Sequence, residues 1–267
     1  MKYKLFVSDF DGTLGVNDHI EPSVVRAIKE YTDKGGIFVI VTGRMHSMIV
    51  PICHKYNLKG LIVSYQGSVI RDIESGKIIV NGGIDYQLAM QITKELLIED
   101  GVRVVADMDE IMYCENLSLY TNYHKDFAEI KIVDDLCAEI EKIKHVVSKV
   151  VAAGDPEIIE KLTKKYGEKY HGKLICNGGA DVLMEVVNPE YSKGNAVRFL
   201  SKYYGISFDQ IITVGDSTND IELVNGPWHG VAVGDAKEEL KKVADEITVS
   251  FKDNPVKYLL EKYCLND

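Results

Sequence analysis

Short apolar runs alternate with amphipathic helical patterns over residues 3–66, and the alternation resumes at about residue 194. Leu5-Phe6-Val7, Ile37 to Val41 and Leu61-Ile62-Val63 read as buried strands. A helix is predicted from about Pro22, with Val24, Val25, Ile28 and Tyr31 on one stripe and Gly35-Gly36 as its stop. Ile49 to Tyr56 reads as a second helix, with Pro51 either in its first turn or at a kink. Val69 to Ile73 and Lys77 to Val80, joined through Glu74-Ser75-Gly76, read as a hairpin. Strand–helix alternation predicts a parallel sheet with helices on both faces, hence an α/β, Rossmann-like core.

The texture changes near Asn81-Gly82-Gly83. From Ile84 to about Val187 the pattern gives two or three helices, including Tyr86 to Glu99 and Pro156 to Tyr166. It also gives about four strands, Val102 to Ala106, Ile111 to Cys114, Val146 to Ala152 and Val182 to Val187. Such an α+β stretch is too long for a loop. The domain reading is therefore a core of residues 1–81 and 188–267, with residues 82–187 as an inserted α+β domain. Asn81-Gly82-Gly83 and Asn188-Pro189 are the candidate hinges. After the insert a helix is expected from Gly194 to Tyr204, then strand Ile211 to Val214 and helix Asp220 to Val224. Strand Gly230 to Val233, helix Ala236 to Val243, strand Ile247 to Val249 and a last helix from Pro255 complete the pattern.

The first strand runs straight into Asp9-Phe10-Asp11-Gly12-Thr13. In open α/β sheets the carboxyl ends of the strands are where ligands bind. Residues i and i+2 share a strand face, so both carboxylates line one site if the strand persists that far. Close carboxylates repel unless a cation sits between them. The pair suggests a metal and a nucleophile beside an acid/base; the plain alternative is a solvated Asp-Gly turn. Three further elements follow in order: Val41-Thr42-Gly43-Arg44 ends a strand, Ser192-Lys193-Gly194 opens a helix, and Gly215-Asp216-Ser217-Thr218-Asn219-Asp220 ends another strand.

Together these four elements resemble the motifs of the haloacid dehalogenase superfamily of phosphohydrolases. The long insert is similar to the large α/β cap of its Cof-type branch. The resemblance covers essentially the whole chain. It implies a phosphatase acting through an aspartyl-phosphate, with Asp9 as nucleophile and Asp11 as general acid and then base. It implies Mg²⁺ as cofactor, held by Asp9, Asp11 (through its backbone carbonyl) and Asp216, since hard oxygen donors suit that ion better than zinc. Thr42 and Gly43 are expected on the phosphate, and Lys193 as a point charge balancing it and Asp9. Asp220 is expected to orient a water or Lys193 rather than bind metal, and Asn219 to do the same or touch phosphate. Arg44 suits phosphate or cap contact, or an ordinary ion pair at a helix start. Gln66-Gly67 and Asp235-Ala236 depart from the Asn-Gly and Asn-Ala pairs common among relatives.

Composition narrows the alternatives. A net charge of −10 gives no basic face for nucleic acid. No apolar run approaches the ~18–20 residues that span a bilayer. The five cysteines include no C-x-x-C pair and read as reduced thiols, and with no signal-peptide pattern the expected location is the cytoplasm. The seven histidines show no metal-ligand spacing, and Asp107-Met108-Asp109-Glu110 reads as an acidic hairpin turn. The expected partner is a small phosphorylated metabolite such as a sugar phosphate. A phosphohexomutase of the same superfamily and a phospho-accepting signalling module are the rival readings. Asp11 argues against the second, because it would speed loss of the phosphoryl group.

Overall fold

The computed structural model describes residues 1–265. The chain opens with β1 (Leu5–Ser8), α1 (Pro22–Asp33), β2 (Ile37–Val41), α2 (His46–Lys55), β3 (Leu61–Ser64), β4 (Val69–Asp72) and β5 (Ile78–Asn81). There follow α3 (Tyr86–Leu97), β6 (Arg103–Met108), β7 (Ile111–Cys114), α4 (Leu119–His124), β8 (Glu129–Ile132), α5 (Leu136–Ile143), β9 (Lys149–Ala153), α6 (Pro156–Lys169), β10 (Ile175–Ala180) and β11 (Leu183–Val187). The chain closes with α7 (Lys193–Tyr204), β12 (Ile211–Gly215), α8 (Ile221–Val224), β13 (His229–Ala232), α9 (Glu238–Lys241), β14 (Glu246–Ile247) and α10 (Pro255–Leu260).

Two compact units result. One comprises Met1–Arg44, Ile49–Val80 and the chain from Ser192 on; the other comprises Met45–Met48 and Asn81–Tyr191. The first holds a sheet of order β14-β13-β12-β1-β2-β3-β4-β5. Its pairs from β14 to β3 are parallel, and β4 joins β3 antiparallel. Alternate residues of the strands feed two cores. Phe6, Phe38, Ile40 and Ile62 pack with α1, α2 and α10, while Leu5, Val7, Val39 and Val63 pack with α7 and Trp228. The sheet is thus covered on both faces, as an all-apolar parallel strand requires.

Chain order reverses at β1: β2 lies on one side, and β12, about 200 residues later, lies on the other. Such a switch point opens a crevice at the carboxyl ends of the strands. The register sets what reaches it. Ser8 is level with Val214 on one side and Ile40 on the other. β1 stops there, while Val41 and Gly215 carry β2 and β12 one residue further, so Asp9, Thr42 and Asp216 leave the sheet within a residue of one another.

The second unit has its own sheet, β10-β11-β9-β6-β7-β8, antiparallel except for β7 with β8. One face, with Val104, Ala106, Met108, Val150, Ala152, Met184 and Val186, packs on α3, α5 and α6. Alternation puts Asp107, Lys149 and Glu185 on the other face. There Lys149 Nζ meets Glu185 Oε1 at 2.6 Å, and the Tyr120 hydroxyl of α4 donates to Asp107 Oδ2 at 2.9 Å.

Several elements differ from the sequence expectation. The second unit has six strands and four helices. β8, Glu-Ile-Lys-Ile, is a mostly exposed edge strand, and β10 carries two glycines, so neither shows a buried-strand pattern. α4 and α5 are short, at 6 and 8 residues. α2 begins at His46, so Pro51 is interior rather than in the first turn. β1 ends at Ser8, so Asp9 and Asp11 are loop residues and no shared strand face aligns them.

Two glycines with opposite surroundings test this packing. A Cβ on Gly230 in β13 would overlap the carbonyl oxygen of Val224, whereas one on Gly167 in α6 meets nothing within 4 Å. Gly230→Ala should cost about 1–3 kcal/mol through overpacking. Gly167→Ala should gain about 0.5–1 kcal/mol from helix propensity. Thermal unfolding of both variants checks this; a melting temperature raised by Gly230→Ala would contradict the packing.

Candidate active site

The loop after β1 carries Asp9, whose backbone amide donates to the Val214 carbonyl at 3.0 Å, extending the β1–β12 register by one bond. Its side chain is nearly buried, at 5% exposure. Lys193 reaches it from the first turn of α7, which Ser192 caps by accepting from the Asn195 amide at 3.2 Å. Lys193 Nζ lies 2.7 Å from Asp9 Oδ1 and 2.6 Å from Asp220 Oδ1, and the ammonium is buried between them. Asp220 is fixed in turn: its Oδ2 accepts the amides of Asp216 and Ser217, both at 3.1 Å.

Asp9, Asp216 and Asp220 offer carboxylate oxygens that all lie within 4.8 Å of one another. Three carboxylates share one ammonium, so full ionisation leaves two negative charges uncompensated. Burial first, and repulsion from Asp220 second, push Asp9 up to about 8 and Asp216 up to about 6. Burial pulls the Lys193 ammonium down, but Asp220 and Asp9 outweigh it and the net direction is up. An excess of two negative charges on hard oxygen donors is what a divalent ion such as Mg²⁺ fits. Gly12 keeps this side of the site clear. It stands at φ 77°, and a Cβ there would come within 2.6 Å of Asp216 Oδ2.

Thr42 is buried just past β2, and its Oγ1 accepts the Arg44 amide at 3.1 Å. A hydroxyl that accepts in this way keeps its proton for another acceptor. The Arg44 amide is thereby engaged within the turn. Gly43 lies under the Gln66 side chain, and Asn219 Nδ2 donates to Gln66 Oε1 at 3.4 Å. Gln66 and Tyr65 hold φ of 58° and 51°, left-handed values that non-glycine residues seldom adopt.

Asp11 is placed differently. It does not belong to the acidic cluster; its carboxylate is held by the Arg44 fork, with Nε to Oδ2 at 2.8 Å and Nη2 to Oδ1 at 2.6 Å. Arg44 also binds Asp18 through Nη1 and lies over the Phe10 ring, 4.7 Å from its centroid. Arg44 thus makes ion pairs just before α2, and the phosphate or cap contact also open from sequence stays an expectation. Asp18 had no signal beyond a polar Asn-Asp pair in a loop. The Asp107, Lys149 and Glu185 group in the second unit was also missed. Its signal is a charged residue in each of three apolar strand runs; burial pushes Asp107 up to about 6 there. Asp109 and Glu110, at φ 50° and 66°, do form the hairpin turn expected between β6 and β7. No histidine belongs to the acidic cluster among the described residues. Asp235 Oδ1 accepts the Phe251 amide at 2.9 Å, tying two loops.

The sequence profile described as haloacid dehalogenase-like hydrolase matches residues 6–260. The chain belongs to the haloacid dehalogenase-like hydrolases. It is an enzyme of the phosphatase branch of that family. A relative from Haemophilus influenzae, named provisionally as a phosphatase, is 28% identical over 273 residues, covering 98% of each chain. A solved haloacid dehalogenase-like hydrolase from Bacteroides thetaiotaomicron matches with a TM-score of 0.85 at 24% identity, covering 98% of this chain and 99% of its own. A solved subclass IIB sugar phosphatase matches with a TM-score of 0.79 at 19% identity, covering 98% and 99%. At those identities the two structures speak to fold alone.

The charge balance of this hydrolase site predicts a pH signature. Asp9 and Asp216 bind their protons more tightly folded than unfolded. Their stabilising contribution is whole below about pH 4. It is lost as pH rises through about 6 and about 8. With divalent ions chelated, the urea midpoint should fall between pH 5 and pH 8.5, and Mg²⁺ should raise it more at pH 8.5. Asp9→Asn should flatten the curve. Parallel curves for wild type and Asp9→Asn would count against the crowded-carboxylate account.

Proposed function

We propose that this protein is a Mg²⁺-dependent phosphatase that hydrolyses a small phosphorylated metabolite, with a sugar phosphate as the favoured class, through a phosphoryl group on Asp9. The observation that carries the reading is the buried Asp9–Lys193–Asp220 chain at the end of β1, with Asp216 beside it. A carboxylate held by one oxygen presents the other as nucleophile. Lys193 engages Oδ1 of Asp9, which leaves Oδ2 to attack phosphorus. As the new O–P bond forms, the ester P–O bond breaks and its electron pair goes to the leaving oxygen, which takes a proton from Asp11. Asp11 then removes a proton from the water that attacks the Asp9 phosphoryl group. Thr42 donates its hydroxyl to a phosphoryl oxygen, and Lys193 balances charge as it moves from the carboxylate to the transferring group.

Asp9 and Asp216, with the Asp11 carbonyl, would hold the Mg²⁺ ion. Bound there, it supplies the positive charge that lets a phosphate dianion approach three carboxylates. Residues 82–187 are read as a cap that chooses the leaving group. The separate sheet and core of that unit support this, as does the likeness to a protein titled a sugar phosphatase. The five cysteines are all free thiols, which suits a reducing compartment such as the cytoplasm. No helix among the described residues is long and apolar enough to cross a membrane.

Asp9→Asn should lower turnover by at least about a thousandfold while the unfolding curve shows a folded protein. Retention of more than about a percent of activity would remove Asp9 as nucleophile. Activity should vanish on chelation and return with Mg²⁺; full activity after verified metal removal would refute the cofactor assignment.

Exchange of residues 82–187 for the matching segment of a relative with another preference tests the cap. The chimera should take the donor's preference and keep its need for Asp9 and Mg²⁺. A folded chimera with the original preference would place substrate choice in the core.

A further inference from the structure

Arg44 serves two carboxylates at once. Its Nε and Nη2 take both oxygens of Asp11, and its Nη1 takes Asp18. The guanidinium side chain is only 16% exposed, whereas Asp11 and Asp18 are 52% and 45% exposed. Phe10 supports its flat face. Asp18 is set in place by backbone. Val16 and His19 exchange hydrogen bonds of 3.1 and 2.9 Å, so Asn17 and Asp18 form the tip of a two-residue turn with φ of 47° and 58°. Asn and Asp are the residues that tolerate such a tip. The turn is thus built to present a carboxylate to the far edge of Arg44.

The reading of Asp11 as acid and then base, on which this inference rests, raises a difficulty. A carboxylate gripped through both oxygens by an arginine holds no proton, so it must leave the fork and take one up from solvent before it can pass that proton to the leaving oxygen. If Arg44 had Asp11 as its sole partner, release would strand a half-buried cation. Asp18 removes that obstacle by keeping one edge of the guanidinium paired while Asp11 turns away.

We propose that Asp18 is a positioning residue for the reaction: it anchors Arg44 on Phe10 and divides the arginine's charge, so that Asp11 can leave the fork and reach the leaving group. Without the Asp18 carboxylate the whole charge of Arg44 falls on Asp11, and the hold tightens. The loss falls on the two steps in which Asp11 acts, and kcat/KM reads the first of them, departure of the leaving group. Asp9 attack on a phosphate with a good leaving group is spared, because a stable leaving anion needs little protonation.

The test compares kcat/KM for glucose 6-phosphate and p-nitrophenyl phosphate. Asp18→Asn keeps shape and tolerates the turn; Asp18→Gly also tolerates it and covers failure of the first variant to fold. Either should lower kcat/KM about tenfold for the alkyl phosphate, as coupled neighbours do, and less than about twofold for the aryl phosphate. Combined with Asp11→Asn, the same change should have no further effect on either substrate. An equal loss on both substrates, no loss on either, or a loss that persists in the Asp11→Asn background overturns the proposal. Asp11→Asn alone separates the two ideas. A leaving-group-independent loss there removes the acid role of Asp11 and takes this proposal with it. A leaving-group-dependent loss with a silent Asp18→Asn removes Asp18 only.

Discussion

One ammonium holds the site together. Lys193 stands at the start of α7, Asp9 follows β1, and Asp220 follows β12, so a single buried charge ties three chain segments that are far apart in sequence. Removing one partner of such a buried pair typically costs about 3–5 kcal/mol, because the charge left behind has nothing to meet it. The arrangement therefore fixes geometry as well as charge. Asp220 cannot drift, since its other oxygen is held by two amides, and Lys193 cannot drift, since it starts a capped helix.

This core accounts for how the fold and the chemistry share residues. The parallel register ends β1, β2 and β12 within one residue of a common level, so the polar residues that follow each strand converge without any long-range side-chain design. What distinguishes them is the depth to which each is buried. Asp9, Thr42, Lys193 and Asp220 are buried, Asp216 is partly so, and Asp11 is exposed. The buried members crowd charge, and the exposed one is held aside by Arg44. Two carboxylates separated by one residue thus have different partners and different solvent.

Most of this was legible where the sequence breaks an apolar run with a polar residue. Val7 before Asp9, Val41 before Thr42 and Val214 before Asp216 each announce a strand end, and the alternation of strands with helices announces the sheet. Pairing was not legible. That Arg44 would seek Asp11 and Asp18 depends on a left-handed tip at residues 17 and 18, which two polar letters do not reveal. β8 escaped because an exposed edge strand has no apolar signature, and α2 was foreshortened because Pro51 was placed in its first turn or at a kink. Asp107 was taken with the turn that follows it, although it is the penultimate residue of β6, on the face away from the helices, and wholly buried.

That buried aspartate has a consequence for how the second unit can change over generations. Asp107 and Glu185 flank Lys149 on three adjacent strands, and Tyr120 closes over them from α4. A neutral replacement of Lys149 leaves two acidic groups with no cation between them, whereas one at Asp107 or Glu185 leaves a balanced acid–lysine pair. Lys149 is therefore the member whose loss costs most, because it is the one cation the two acids share. Change in this unit therefore meets its stiffest resistance at one lysine in the middle of the sheet, and either acid beside it can be exchanged at a lower cost in charge.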